Sequence, residues 1–203
     1  MSYTPRHKEQ TRQRILQAAA KLFCSHGFDR VTLNQIMKKA NMTHGAFYAH
    51  FSAKSSLYEA AMQFATSNGF WARNDKQTEN NETHLKALVT RYLSWSRNDK
   101  EHPSPLEFLV TDAAHKEEKV RQAYQACFDS LVDRLAGILK KRGSQEAEAL
   151  AEETVVSLVG TVAIARSFTQ PLQSDFLKRA QERIVNRLNS GLDTNKPNQE
   201  NFV

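Results

Sequence analysis

Apolar residues return every three or four positions along almost the whole chain, and no stretch sustains the alternation of a half-buried strand. That period gathers side chains on one stripe of a helix, so the chain reads as all-α. Punctuation agrees, because 203 residues contain only 7 Gly and 5 Pro, too few for the many turns of a sandwich or propeller. A hydrophobic share of 40% against 25% charged belongs to a chain that buries a core.

Caps and stops divide this pattern into nine expected helices. Thr4-Pro5 opens the first, with Ile15, Leu16, Ala19, Leu22 and Phe23 on one face and Gly27 as its stop. Thr32-Leu33-Asn34-Gln35 is a capping box for a second helix over 33–40. Asn41-Met42 is a short turn, Thr43 caps a third helix carrying Phe47 and Phe51, and Ser52 is expected to cap a fourth, 54–68. The polar run NDKQTENN (74–81) reads as a loop. Further helices are expected over 82–97, 106–115, 118–142, 145–170 and 174–190, with Gly143 and Gly191 as terminators. Residues 1–53 would form one domain and 54–203 a second.

Residues 1–60 hold nine Lys or Arg against three Asp or Glu, which is the whole formal net charge of +6. A basic end on a neutral body points to a polyanion partner, and a merely solvated surface is the ordinary alternative. Other classes are disfavoured. The most apolar window, Val155–Ala165, is interrupted by Ser157, Gly160 and Thr161 and is too short to span a membrane. MSYTPRHKEQ has no apolar stretch behind its basic residues, so no secretory signal is expected. Cys24 and Cys127 lie far apart and neither belongs to a CxxC, so neither disulfide framework nor zinc site is expected, and a reducing cytoplasm is the simplest compartment. HExxH, P-loop, GxGxxG and GxSxG patterns are all missing, so neither an enzyme nor a cofactor is expected.

The second and third helices with their short turn make a helix-turn-helix, whose second helix enters the major groove. Thr43 and His44 can hydrogen-bond to base edges. Gly45 and Ala46 are small enough to let the backbone approach, and Ala46 can meet a thymine methyl. Tyr48, His50 and Lys54 suit phosphate oxygens, as do the hydroxyl of Thr32 and the amides at its helix start. Lys8 and Arg12 can follow the backbone electrostatically. Each has a plainer reading: Tyr48 as a half-buried core tyrosine, His50 as a surface histidine, Thr32 as a cap alone.

The segment Thr32–Lys54, TLNQIMKKANMTHGAFYAHFSAK, resembles the DNA-binding signature of TetR-family transcriptional regulators. The resemblance rests on the Thr-led second helix with Ile36, the Ala40-Asn41 turn, Thr43 followed by Gly45, Phe47-Tyr48, His50-Phe51, and Lys54 before Leu57. The family usually has Gly where this chain has Asn41, and Asn also tolerates positive φ. The resemblance implies DNA contact at Thr32, Thr43, Tyr48, His50 and Lys54, with His44 helping to set sequence preference. It also implies a cytoplasmic bacterial homodimer, most often a repressor released from a palindromic double-stranded operator by a small effector. The nine-helix build would put effector and dimer contacts in the C-terminal helices, and residues 158–177 resemble the join of the last two.

A dimer also has a physical case. The eighth helix carries Ala151, Val155, Leu158, Val162 and Ala165 at spacings of packed helix pairs, and Val156, Val159, Ala163 and Ile164 off that row. A helix apolar on most sides needs cover on two. One cover is its own domain. The other is expected to be a second copy, with Leu177, Ala180, Ile184 and Leu188 completing a four-helix bundle; full burial within one chain is the alternative. Phe64, Trp71, Tyr92, Trp95, Phe108, Tyr124 and Phe128 are expected to be mostly core, with a subset lining the apolar effector pocket. Redox sensing by Cys24 or Cys127 is the lesser expectation, because cysteines on apolar faces are usually inert.

Overall fold

The structure, a computed structural model, describes residues 5–69, 82–98 and 105–193. Among these are nine α-helices and no strand: α1 Pro5–His26, α2 Leu33–Lys39, α3 His44–Tyr48, α4 Lys54–Asn68, α5 Glu82–Asn98, α6 Pro105–Ala113, α7 Glu118–Lys141, α8 Ala147–Ala165 and α9 Leu172–Asp193. The all-α, nine-helix expectation holds. The helices form two compact units. The first contains α1 to α4, α6 and α7 through Cys127, and the second contains α5, α7 from Phe128, α8 and α9.

In the first unit α1 packs along α4 and also meets α2 and α6. Ile15, Ala19 and Phe23 of α1, Ile36 of α2, Phe47 of α3, and Leu57, Tyr58, Ala61 and Met62 of α4 are fully buried. Burying each large side chain contributes roughly 1.5–3 kcal/mol, which holds a three-turn motif too short to persist alone. Phe23 and Phe28 both stand edge-on to Tyr58, at 5.0 and 5.3 Å between ring centres. Gly27 ends α1 at φ 79°, its amide donating to the Phe23 carbonyl at 2.8 Å. The loop after α1 is tied to the loop before α7 by an ion pair between Asp29 and Lys116, and Lys119 reaches Glu59 of α4 at 3.4 Å. Ser52 is not the cap of α4. Ala53 occupies that position without a capping side chain, and the Ser52 hydroxyl pairs with that of Ser56 at 3.2 Å.

In the second unit α5, α8 and α9 pack against one another. α7 stops where expected, at Gly143 with φ 83°. α8 is shorter than 145–170, because the amides of Ser167 and Phe168 bond carbonyls only three residues back and tighten the chain out of the helix. Gly191 is no terminator, since α9 runs on to Asp193. A Cβ there would lie 2.6 Å from a methyl of Leu150, so this glycine lets α9 approach α8. Across the unit, Gln181 donates to the Thr90 hydroxyl at 2.9 Å, and the Arg187 Nε reaches the Glu153 carboxylate at 2.9 Å. No helix among the described residues is long and apolar enough to cross a membrane. No group of three or more His, Cys, Asp or Glu among them is placed to hold a metal ion.

Candidate nucleic-acid interface

The helix-turn-helix is built from its caps inward. The Thr32 hydroxyl accepts from the Gln35 amide at 3.2 Å, while the Gln35 side-chain oxygen accepts from the Thr32 amide at 2.7 Å and its hydroxyl at 3.1 Å. The capping box is complete, and the Thr32 hydroxyl is committed to α2. The turn passes through Asn41 at φ 54°, a left-handed position that asparagine tolerates and most residues do not. Its amide bonds Lys38 O at 3.1 Å, and that of Met42 bonds Met37 O at 2.9 Å. The chain then reverses into α3.

α3 is anchored by Phe47, fully buried and stacked on Phe51 at 6.0 Å. Its other side faces outward, with Thr43, His44, Gly45 and Tyr48 exposed and Ala46 half-buried. Tyr48 is 64% exposed, so it is not a core tyrosine. The rings of His44 and Phe47 hold it edge-on at 5.7 and 5.0 Å. Thr43 occupies the cap position of α3 but its hydroxyl makes no capping bond, unlike that of Thr32. A Cβ on Gly45 would meet nothing within 4 Å. The packing therefore does not require glycine there, and its smallness matters only to something approaching from outside.

Cationic groups flank this surface. His50 is half-buried two residues past α3, and burial followed by the charges of Lys8 and Arg12 depresses its pKa, with Glu9 opposing. The Arg12 guanidinium lies 5.5 Å from the Phe51 ring centre. Lys54 begins α4 with its ammonium 4.3 Å over the Phe28 ring. A cation at a helix start is opposed by the helix dipole, and an anion bound beside it would relieve both. Thr32, Thr43, His44, Gly45, Tyr48, His50 and Lys54 thus lie within one small motif, and most of them are exposed.

The other expected sites are dispersed. Phe64 and Tyr124 are half-buried in the first unit, Tyr92 is buried and Phe128 half-buried in the second, and Trp71 with the side chains of Trp95 and Phe108 lies outside the described residues. The Tyr124 hydroxyl donates to the Leu106 carbonyl at 3.0 Å, and burial beside Glu107 pushes its pKa up to about 12. Burial also raises both thiols, Cys24 to well above the usual range and Cys127 against a hydrogen bond with Thr66. Neither therefore has the thiolate character of a redox sensor.

Most of the expected dimer row is covered within the chain itself. Ala151, Val155, Leu158, Val162, Ala165, Ala180 and Leu188 are at most 4% exposed and Ile184 is 7% exposed within their own unit, with Leu177 half-buried. They hold α8 and α9 to their neighbours, because the seam facing the chain's own helices has the same spacing as one facing a partner. Of the off-row set, Val156 and Ile164 face outward at 55% and 52% exposed, while Ala163 is half-buried and Val159 buried. A groove of about 560 Å³ lies beside Val156 and Ile164, lined also by Gly160, Phe176 and Arg183 and by Ala180 and Ile184 of the expected set.

Residues 15–61 match the family described as bacterial regulatory proteins, tetR family. The HTH-type transcriptional regulator YfiR of Bacillus subtilis is 26% identical over 144 residues, 68% of each chain. The probable acrEF/envCD operon repressor of Escherichia coli K12 is 35% identical over 77 residues, 38% of this chain but only 31% of that protein. A crystal structure of a TetR-family transcriptional regulator from Cytophaga hutchinsonii has the same fold, with a TM-score of 0.73 at 18% identity over 93% of this chain and 98% of that one.

Proposed function

We propose, the chain being a member of the TetR family of bacterial regulatory proteins, that it is a cytoplasmic repressor released from a palindromic operator by a small effector. It is a DNA-binding transcriptional regulator and not an enzyme. One observation carries the reading: α3 buries only Phe47 while Thr43, His44, Gly45 and Tyr48 face outward. Such a helix end suits a groove lined with base edges. Thr43 and His44 are the proposed base contacts, with His44 setting preference. Gly45 and Ala46 permit close approach, and Tyr48, His50, Lys54 and the start of α2 at Thr32 bind phosphate.

A single motif reads few base pairs, and two-fold pairing extends the site to half-sites about one helical turn apart or a multiple of it. The proposed dimer face is Val156, Gly160, Ile164, Phe176 and Arg183 of α8 and α9. Large exposed apolar residues beside a glycine permit close helix contact with a second copy. The proposed effector seat is in the first unit beside Phe64 and Tyr124, where Glu107 is a buried acid. An effector that prefers the non-binding arrangement shifts the population away from DNA, a coupling typically of about 1–3 kcal/mol.

Footprinting on DNA flanking the gene tests the reading. A protected, roughly palindromic site whose affinity falls steeply with salt is expected. Protection that ignores sequence, or none at all, would refute it.

A further inference from the structure

We propose that His50 together with Lys8 and Arg12 forms a phosphate-binding corner that takes up one proton as duplex DNA docks, making affinity rise as pH falls. The inference rests on the DNA-binding reading above and adds a regulation to it. Three groups from two elements meet here. His50 lies two residues beyond α3, and Lys8 and Arg12 stand on successive turns of α1, close enough to act on the imidazole electrostatically. The Arg12 guanidinium is steered to this place by the Phe51 ring at 5.5 Å, and the ring of His50 lies 6.3 Å from the same aromatic. Lys8 is exposed and Arg12 half-buried.

The charges facing the imidazole are known from each side. From α1 come Lys8, Arg12 and the single carboxylate of Glu9, which is itself held by the Gln13 amide at 2.6 Å. From the segment after α3 comes the apolar ring of Phe51. Burial disfavours the charged ring first, and two cations outweighing one anion add to it, so the imidazole of the free protein resists protonation. A phosphate oxygen set among the three groups reverses that balance. It neutralises Lys8 and Arg12, and it accepts a hydrogen bond from whichever ring nitrogen has gained a proton from solvent.

The sign follows. The pKa in the free state lies below the ordinary imidazole value and the pKa in the complex lies above the free value. Affinity is therefore greatest at low pH, and it is lost as pH rises through the pKa of the complex. Below the free-state pKa both forms are protonated and the dependence vanishes. Per reading head the steepest slope is about tenfold in Kd per pH unit, the limit for one proton.

The test uses the full chain and a duplex that it selects from a random-sequence pool. Affinity is measured at fixed ionic strength over roughly pH 5 to 8, the interval in which imidazole titrates. Kd should fall with falling pH, and His50→Gln should flatten that slope. By NMR the His50 ring should titrate at higher pH in the complex than alone, and Lys8→Gln or Arg12→Gln should raise its free-state value. A wild-type ring that titrates identically free and bound, or a slope that survives His50→Gln, overturns the proton uptake while leaving DNA binding intact. A pool from which no sequence is enriched overturns the DNA-binding reading and this inference with it.

Discussion

At the scale of single residues, exposure and hydrogen bonding separate roles that the sequence leaves merged. Thr32 and Thr43 are both threonines at helix starts. The first spends its hydroxyl on Gln35 and the second makes no capping bond. Thr32→Ala should accordingly cost about 1 kcal/mol, read by chemical denaturation. Tyr48→Phe should leave the denaturation midpoint unchanged, because the hydroxyl belongs to an exposed ring, and should weaken duplex binding by the loss of one phosphate hydrogen bond; unchanged binding would remove Tyr48 from the interface. Gly27 and Asn41 were legible because a left-handed turn narrows the choice of residue locally. Ser52 and Gly191 were not. Local preference favours Ser52 over Ala53 as a cap although the helix starts one residue later, and Gly191 answers to a Leu150 methyl on another helix.

At the scale of elements, α3 shows how a five-residue helix acquires one orientation. Isolated, so short a helix would not form. Phe47 pins one side into the core, and the turn at Asn41 sets the angle at which the other side is offered. Phe47→Ala should cost about 3–5 kcal/mol and abolish duplex binding, the first seen by denaturation and the second by fluorescence anisotropy. α8 teaches the converse. Its richness in apolar residues announced two covered faces, but a regular row identifies a seam without saying whose helix lies across it. The most regular row went to the chain's own neighbours, and the more scattered set, Val156 and Ile164, stayed outside.

At the scale of the whole molecule, the outward face of α8 bears on assembly. Val156→Glu with Ile164→Glu should yield a single-chain species by sedimentation equilibrium and weaken binding to a palindromic duplex far more than to one half-site. These positions are over half exposed, so the change in chain stability should stay within about 0.5 kcal/mol each. Leu158→Ala, buried completely, should instead lower stability by about 2–5 kcal/mol. The excess charge of the first 60 residues was the earliest sign of a polyanionic partner, because charge needs no knowledge of folding to be located. The proposed effector seat has no such local signature, since aromatic side chains at helical spacing serve cores and cavities alike.

Because α4 shares its core with α1, the proposed DNA-contacting end of this protein is not a detachable cassette that ends where its motif ends. A chimera spliced after Ala53 would strip Phe23 of its contact with Tyr58 and leave Ile15 and Ala19 facing a foreign helix. Transplanting its sequence preference onto a related scaffold would require carrying α4 along, with Asp29 and Lys116 matched on both sides of the graft. Lineages that trade recognition segments by recombination would then be constrained to break elsewhere than at the end of the motif.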